Sequence, residues 1–191
     1  MMKLILGGAV IALAAVLCEP MQAQNTGMSD QRHTDLSNPP AGADMLSEAG
    51  IVGALQTVDQ SETEAAQAAL ARSKNEDVLA FARQMIVDRG EASRKLNDVG
   101  IQPVNSDINR RLKEKERMTS RKLNRLEGPA FDRAYMAAMV EDHQMVLDKI
   151  DRKFVPSAKS GKLAAHLQER RPVIESHLEH ARRIKASLGT R

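Results

Sequence analysis

Cysteine and aromatic residues are scarce in this 191-residue chain. A single cysteine, Cys18, excludes an internal disulfide and a thiolate metal site in the folded part. Aromatic residues make up 2% of the chain and tryptophan is absent, although hydrophobic residues make up 42%. The core is therefore expected to consist of Ala, Leu, Val, Ile and Met. This composition favours closely packed helices over a β-sandwich, which is rich in β-branched and aromatic residues.

The net charge of +3 is too small to indicate a nucleic-acid partner by itself. Residues 107–126 concentrate the positive charge, diluted by Glu114 and Glu116 and without interleaved aromatic side chains for base stacking. The basic residues of this stretch are Arg110, Arg111, Lys113, Lys115, Arg117, Arg121, Lys122 and Arg125. We predict no nucleic-acid partner and interpret the stretch as a solvated connecting helix. The alternative is an interaction module that docks this helix on anionic lipid or an acidic partner.

Residues 1–23 are predicted to be a signal peptide. Lys3 supplies a positive start, residues 4–17 are almost wholly apolar, and Ala23 offers a small residue at the cleavage point. The apolar run is shorter than the roughly 20 residues of a membrane span. Simple cleavage is favoured over a lipid anchor at Cys18, because Leu17 is a poor residue before an acylated cysteine; an uncleaved anchor is a further alternative. The expected location is the periplasm of a bacterium.

Residues 24–43 are polar, contain two consecutive prolines, and are predicted to form a disordered linker. Beyond them, hydrophobic periodicity predicts helices over residues 44–73, 75–99, 107–126, 131–150 and 158–188, with Asp44 as the first cap. Pro156 is expected to end or bend the fourth helix, and Pro172 to kink the last one. Short loops join antiparallel neighbours. We therefore predict an all-α, up-down-up-down four-helix bundle over residues 44–188, with the charged segment as an additional crossover helix.

Each of the four bundle helices places a polar side chain at a mid-helix position of its apolar stripe. These residues are Glu62, Arg89, His143 and His177, with Asp88 and Asp142 adjoining two of them and Arg170 at a further stripe position. Bundles build metal sites from carboxylates and imidazoles on facing helices. One interpretation is therefore a divalent metal site for Zn, Mn or Fe, with Glu62, His143 and His177 as ligands and Asp88 or Asp142 as a further ligand.

Arg89 argues against that interpretation, because a guanidinium keeps its proton and cannot bind a cation. The favoured interpretation is a buried polar cluster without a cofactor. In it Glu62 pairs with Arg89, His143 and His177 are hydrogen-bonded nearby, and the cluster fixes the register of the helices. A third interpretation leaves these residues partly exposed and unconnected. His166 and His180 lie nearer the flanks of the last helix and are expected to be solvated.

Four stretches carry a family resemblance: Ser-Glu-Thr-Glu at 61–64, Phe-Ala-Arg-Gln-Met-Ile-Val-Asp at 81–88, Phe-Asp-Arg-Ala-Tyr-Met-Ala-Ala-Met-Val-Glu-Asp-His at 131–143 and Ser-His-Leu-Glu-His-Ala at 176–181. They resemble the ferritin-like family called domain of unknown function 4142, whose members are often labelled outer membrane proteins. The resemblance covers about residues 43–188. It implies a secreted four-helix bundle with a Glu on its first helix and His on the others, positions that Glu62, His143 and His177 match. Arg89 stands where the family has a second-helix His after an Asp.

The family has no settled activity to transfer. From the signal peptide, the bundle pattern and the departure at Arg89, we predict an exported periplasmic ferritin-like protein without enzymatic activity. Its expected role is associated with the envelope or with stress, through an envelope partner. The metal-binding protein and the basic-helix interaction module, the latter with peripheral membrane association, are the alternatives.

Overall fold

A computed structural model describes residues 47–189, so the predicted signal peptide and linker lie outside the described residues. The described chain is helical and contains no strand. Its elements are α1 (Glu48–Arg72), α2 (Glu76–Asp98), α3 (Asp107–Leu123), α4 (Gly128–Lys149), a π-helical turn (Ile150–Phe154), α5 (Val155–Ser157) and α6 (Gly161–Gly189). The predicted all-α fold is confirmed. No helix of this part of the chain is both long and apolar enough to cross a membrane.

Side-chain caps begin the first three helices. Ser47 accepts a hydrogen bond from the Gly50 N–H of α1 (3.1 Å), whereas the predicted cap, Asp44, lies outside the described residues. Asn75 caps α2 and Ser106 caps α3 in the same way. These caps satisfy backbone donors that have no partner within the first turn of a helix. They place each helix start to within a few residues of its predicted position.

Helices α1 and α2 pack as one hairpin, and α4 and α6 pack as a second. Contacts of α2 with α6 and of α1 with α4 join the two hairpins into the predicted four-helix bundle. Helix α3 packs on the outside, against α1 and α4. It ends at Leu123, earlier than predicted, and α4 begins earlier than predicted, at Gly128.

The bundle interior consists of two apolar clusters. One is formed mainly by Leu, Ile and Val side chains, among them Leu55, Val146 and Ile174. The other contains Phe81 and Met139 with further aromatic, Met and Ala side chains. On α1, α2 and α4 the mid-helix polar residue falls between the two clusters, since Glu62 lies between Val58 and Ala66, and His143 between Met139 and Val146. On α6, His177 lies close to the same boundary. A polar layer thus crosses an otherwise apolar core.

The start of α3 approaches α1 at Gly53, which is buried. A Cβ atom at this position would lie 2.6 Å from both the Val104 carbonyl oxygen and Asn109 Nδ2. The Val104 N–H donates to the Ala49 carbonyl (3.1 Å), which binds the preceding loop to the same turn of α1. The absence of a side chain at Gly53 therefore lets the loop and α3 pack directly on α1.

The C-terminal end of α4 differs from the predicted ending. The chain passes through the π-helical turn Ile150–Phe154, which keeps the first and last residues of the turn buried, and stops after Pro156 at Ser157. The last helix begins at Gly161, later than predicted, where Glu48 accepts hydrogen bonds from the backbone N–H groups of Lys159 and Ser160. Pro172 lies inside α6, which continues to Gly189.

Candidate functional site

Arg89 of α2 lies at the centre of the polar layer and is 1% exposed. Its Nε forms a close ion pair with Glu62 Oε2 of α1, and its Nη2 donates to His143 Nε2 of α4 at 3.0 Å. Its Nη1 lies 3.9 Å from Asp59 Oδ1. One guanidinium thus connects three helices, and the predicted pairing of Glu62 with Arg89 is confirmed.

The contacts of His143 assign its tautomer. Its Nδ1 lies 2.7 Å from the Met139 carbonyl oxygen, which can only accept, so Nδ1 carries the proton. The lone pair of Nε2 then accepts from Arg89. Burial, reinforced by the Arg89 charge, lowers the pKa of His143 to about 3. His143 is therefore neutral at physiological pH.

His177 of α6 contacts the layer from the fourth helix. Its Nε2 donates to Asp88 Oδ2 at 2.7 Å, and Gln84 Nε2 donates to the same carboxylate. The ring lies 5.6 Å from the His143 ring, at 81° to it. Burial and then the Arg89 charge lower the pKa of His177 to about 4, outweighing the opposite effect of Asp88. The predicted hydrogen bonding of both histidines is confirmed, and Asp88 is the hydrogen-bond acceptor of His177.

A second buried ion pair, which the sequence analysis did not predict, adjoins the first. Arg170 of α6 binds Asp59 of α1 through both terminal nitrogens, with Nη1 3.0 Å from Oδ2 and Nη2 in closer contact with Oδ1. Ser93 Oγ of α2 lies 3.4 Å from the same carboxylate. Asp59 lies three residues before Glu62, a spacing that places both carboxylates on one face of α1. The spacing between Asp59 and Glu62 is the feature of the sequence from which this second ion pair could have been predicted.

The charges of the layer balance, since two carboxylates, Asp59 and Glu62, face two guanidinium groups, Arg89 and Arg170. Burial raises the pKa of Glu62 and outweighs the opposing effect of Arg89. Glu62 Oε1 and Oε2 and Arg89 Nε make no hydrogen bond within the described chain, so this pair is held by charge at close range. Removal of Arg89 would consequently raise the pKa of Glu62 further and favour its protonated form.

Asp142 of α4 is paired with a lysine of the outer helix. It makes a close ion pair with Lys115 of α3, which also lies 3.6 Å from Glu141. Burial raises the pKa of Asp142, and burial together with the Asp142 charge raises the pKa of Glu116 to about 7. Asp142 therefore binds α3 to α4, and it takes part in the polar layer only through the charge of Glu62, which contributes to raising the pKa of Asp142.

The expected solvation of His166 is wrong. The side chain is buried beside Arg170, and burial followed by the Arg170 charge lowers its pKa. His166 lines the space between α6 and α2, so its burial depends on the neighbouring helix and could not be seen from the periodicity of α6 alone. His180 is half-buried, with its ring 5.4 Å from the ring of Phe81.

The side chains expected to bind a divalent metal ion are paired with other side chains instead. The Nε2 lone pair of His143 accepts from Arg89, the Glu62 carboxylate is paired with Arg89, and Nε2 of His177 donates to Asp88. Across residues 47–189, no three His, Cys, Asp or Glu side chains converge on a position suited to a metal ion. In this arrangement the residues do not fit such an ion, and metal binding by Glu62, His143 and His177 stays a prediction.

Fold and site together define a helical bundle protein whose polar layer is centred on a buried arginine. The chain belongs to the family described as Domain of unknown function (DUF4142), whose family model matches residues 34–184. That match spans most of the chain and includes every residue of the polar layer. Comparisons with curated proteins and with solved structures gave no match.

Proposed function

We propose that this protein is an exported, periplasmic helical bundle without enzymatic activity, associated with the envelope or with its response to stress. The single observation that carries the proposal is that Arg89 occupies the space between Glu62 and His143. A guanidinium there supplies the positive charge that an ion would supply, but no open coordination position for a substrate. The basic and apolar start of the chain supports export.

The polar layer acts structurally under this proposal. Apolar side chains pack acceptably in several helix registers, whereas a buried charge pairs only when its partner stands opposite. Arg89 and Arg170 each join α1 to another helix through specific carboxylates. The layer therefore selects one register of α1 against α2 and α6, which suits a protein that presents a constant surface to an envelope partner.

Arg89→His tests the proposal, with elemental analysis of both proteins purified without chelator. We expect no stoichiometric metal in either, and a free energy of unfolding about 3–5 kcal/mol lower in the variant, because the Glu62 charge loses its buried partner. Arg83→His is the matched control, since Arg83 is exposed on the same helix.

Two outcomes of this experiment would contradict the structural role. Near-stoichiometric metal in the wild type would make Glu62, His143 and His177 the ligands to test by substitution. Metal in Arg89→His alone would identify a bundle that has exchanged its ion for an arginine. The first outcome would replace the structural interpretation with the metal-binding alternative, and the second would show that the layer derives from a metal site that Arg89 now occupies.

A second candidate function is docking on an anionic surface, and the orientation of α3 favours it. The helix buries Ile108, Leu112 and Leu123 against the bundle and turns Lys115 inward. The remaining cations of α3 and of the turn that follows it are exposed and form the basic surface, defined as Arg110, Arg111, Lys113, Arg117, Arg121, Lys122 and Arg125. Met118 is 62% exposed among them. An anionic lipid surface, bound peripherally, matches this charge.

Sedimentation with vesicles containing anionic lipid tests the docking function. We expect binding that falls steeply with salt, because exposed charges are screened over about 8 Å at physiological ionic strength. Arg117→Glu with Arg121→Glu should weaken binding by more than about tenfold, since each cation near such a surface contributes about 1 kcal/mol. Lys159→Glu with Lys162→Glu, two exposed cations outside the basic surface, is the control. Salt-insensitive binding, or equal loss in both variants, would contradict docking through α3.

A further inference from the structure

An open cavity of about 520 Å³ lies between α1 and the outer helix α3. The close approach at Gly53 holds the start of α3 against α1, and the buried Leu123 holds its end in the apolar core. The cavity therefore lies between two helices that are fixed relative to each other. Its volume falls within the roughly 300–1,000 Å³ that is typical of sites for small ligands. The space is sufficient for a molecule of the size of a mono- or disaccharide.

A row of three exposed cations, Lys113, Arg117 and Arg121, lines the α3 side of this cavity. They are four residues apart, so they follow one edge of the helix at intervals of about 6 Å. Within residues 47–189 neither Lys113 nor Arg121 forms an ion pair, and Arg117 pairs with the exposed Glu114 at 3.3 Å. An exposed pair of this kind contributes little. The row is therefore open to a ligand that carries negative charge at more than one point.

The α1 side of the cavity presents hydrogen-bond acceptors. Ser61 Oγ donates its proton to the Thr57 carbonyl oxygen (2.8 Å), so only the lone pairs of this hydroxyl remain for a ligand. Gln60 donates an amide N–H to Glu64 Oε1 (2.9 Å), and the carboxylate of Glu64 can only accept. Gln60 and Glu64 are exposed, and Ser61 is half-buried. A ligand that satisfies both sides must therefore offer donors such as hydroxyl groups to α1 and anionic acceptors to α3.

The charges that line the cavity favour an anionic ligand. Its two lining carboxylates are Glu64 and Glu116. Burial together with the Asp142 charge raises the pKa of Glu116 to about 7, so this carboxyl is partly neutral near neutral pH. The three cations therefore outnumber the negative charges. A neutral sugar would leave these cations unmatched, and a bare inorganic anion would leave the acceptors of α1 unused. A phosphate group offers several strong acceptor oxygens to Lys and Arg, and sugar hydroxyls supply the donors.

We propose that this cavity binds a soluble phosphorylated mono- or disaccharide. Its phosphate groups accept hydrogen bonds from Lys113, Arg117 and Arg121, and its hydroxyl groups donate to Ser61 and Glu64. Although these three cations belong to the basic surface, the proposal does not rest on docking at a lipid surface, because the ligand enters between α1 and α3.

Calorimetric titration of the purified protein at low salt tests the ligand class, with fructose 1,6-bisphosphate as the probe. We expect saturable binding that is at least tenfold tighter than the binding of fructose or of inorganic phosphate. Lys113→Gln with Arg121→Gln should weaken binding of the bisphosphate by more than tenfold, since both side chains donate to its phosphates. Lys159→Gln with Lys162→Gln removes two exposed cations outside the cavity and should leave the affinity unchanged.

A substitution on α1 tests the place of binding separately from docking on lipid. Ala68 is half-buried and lines the cavity, so Ala68→Leu should fill part of it and weaken binding of the bisphosphate by more than tenfold. Ala71→Leu, at an exposed position of the same helix outside the cavity, is the matched control. Sedimentation of Ala68→Leu with anionic vesicles should equal that of the wild type, because the basic surface is intact.

The outcomes separate the ligand from the site. Equal affinity for fructose 1,6-bisphosphate and inorganic phosphate would overturn the saccharide in favour of a simple anion site. An absence of saturable binding, or an affinity in Ala68→Leu equal to that in Ala71→Leu, would overturn the cavity as the binding site.

Discussion

Asp59→Asn is expected to lower the free energy of unfolding by about 3–5 kcal/mol, the typical effect of removing one partner from a buried ion pair. Arg170 would remain in the core with its charge unmatched, because a guanidinium does not lose its proton there. Arg89→His leaves the Glu62 carboxyl instead, and protonation of that carboxyl holds the loss to the lower end of this range. Asp59→Asn should therefore be the more destabilising of the two substitutions, and urea unfolding followed by circular dichroism measures the difference.

The control and the double variant isolate the pair. Asp98→Asn removes an exposed carboxylate at the end of α2 and should change stability by less than about 0.5 kcal/mol. Asp59→Leu combined with Arg170→Met removes both charges. This double variant should be nearly as stable as the wild type, because replacing a buried ion pair by apolar side chains of similar size changes stability little. If Asp59→Asn were as stable as the wild type, water would have to reach Arg170, and this would contradict a buried Asp59–Arg170 ion pair.

The free energy of unfolding is expected to depend on pH because His143 is buried in its neutral form. Its pKa is about 3 in the folded protein and about 6.5 when unfolded, so the unfolded chain binds the proton first. The contribution of this histidine to stability is complete above pH 6.5 and is lost as the pH falls from 6.5 towards 3. The slope is about 1.4 kcal/mol for each pH unit within that window.

Other groups oppose this slope, so the wild type must be compared with a variant. The raised pKa values of Glu62, Asp142 and Glu116 act in the opposite direction, because these groups bind a proton more readily in the folded state. Subtracting the free energy of unfolding of His143→Gln from that of the wild type cancels the effect of these other groups. This difference should fall as the pH is lowered from 6.5 towards 3. The half-buried His180 is the control, since His180→Gln should give a flatter difference. A pH-independent difference for His143→Gln would contradict a neutral, buried imidazole.

Local sequence patterns were sufficient for the fold class and for part of the site. Helical periodicity placed Glu62, Arg89, His143 and His177 on apolar stripes, and burying a charged group there requires a partner. Glu62 and Arg89 are the two oppositely charged residues among these four, so their pairing could be predicted from the sequence. Helix ends were less well placed, since caps and the π-helical turn at Ile150–Phe154 depend on contacts with other elements.

The remaining partnerships depend on the relative rotation of distant helices. Asp59 and Arg170 are 111 positions apart, and only the packing of α1 near α6 brings them together. Asp142 was expected near the layer, but α3 lies against α4 and Lys115 takes that carboxylate. His166 is likewise buried because α6 packs against the other helices, which the pattern of α6 alone does not show.

The amino-acid sequence by itself therefore determined that this protein is an all-helical bundle with charged residues in its core, because hydrophobic periodicity and burial act along one helix at a time. Only the tertiary structure decided which charge meets which, and that an arginine holds the position between Glu62 and His143. The physical reason is that pairing between helices depends on their register and rotation. These are set by close packing of all the helices together.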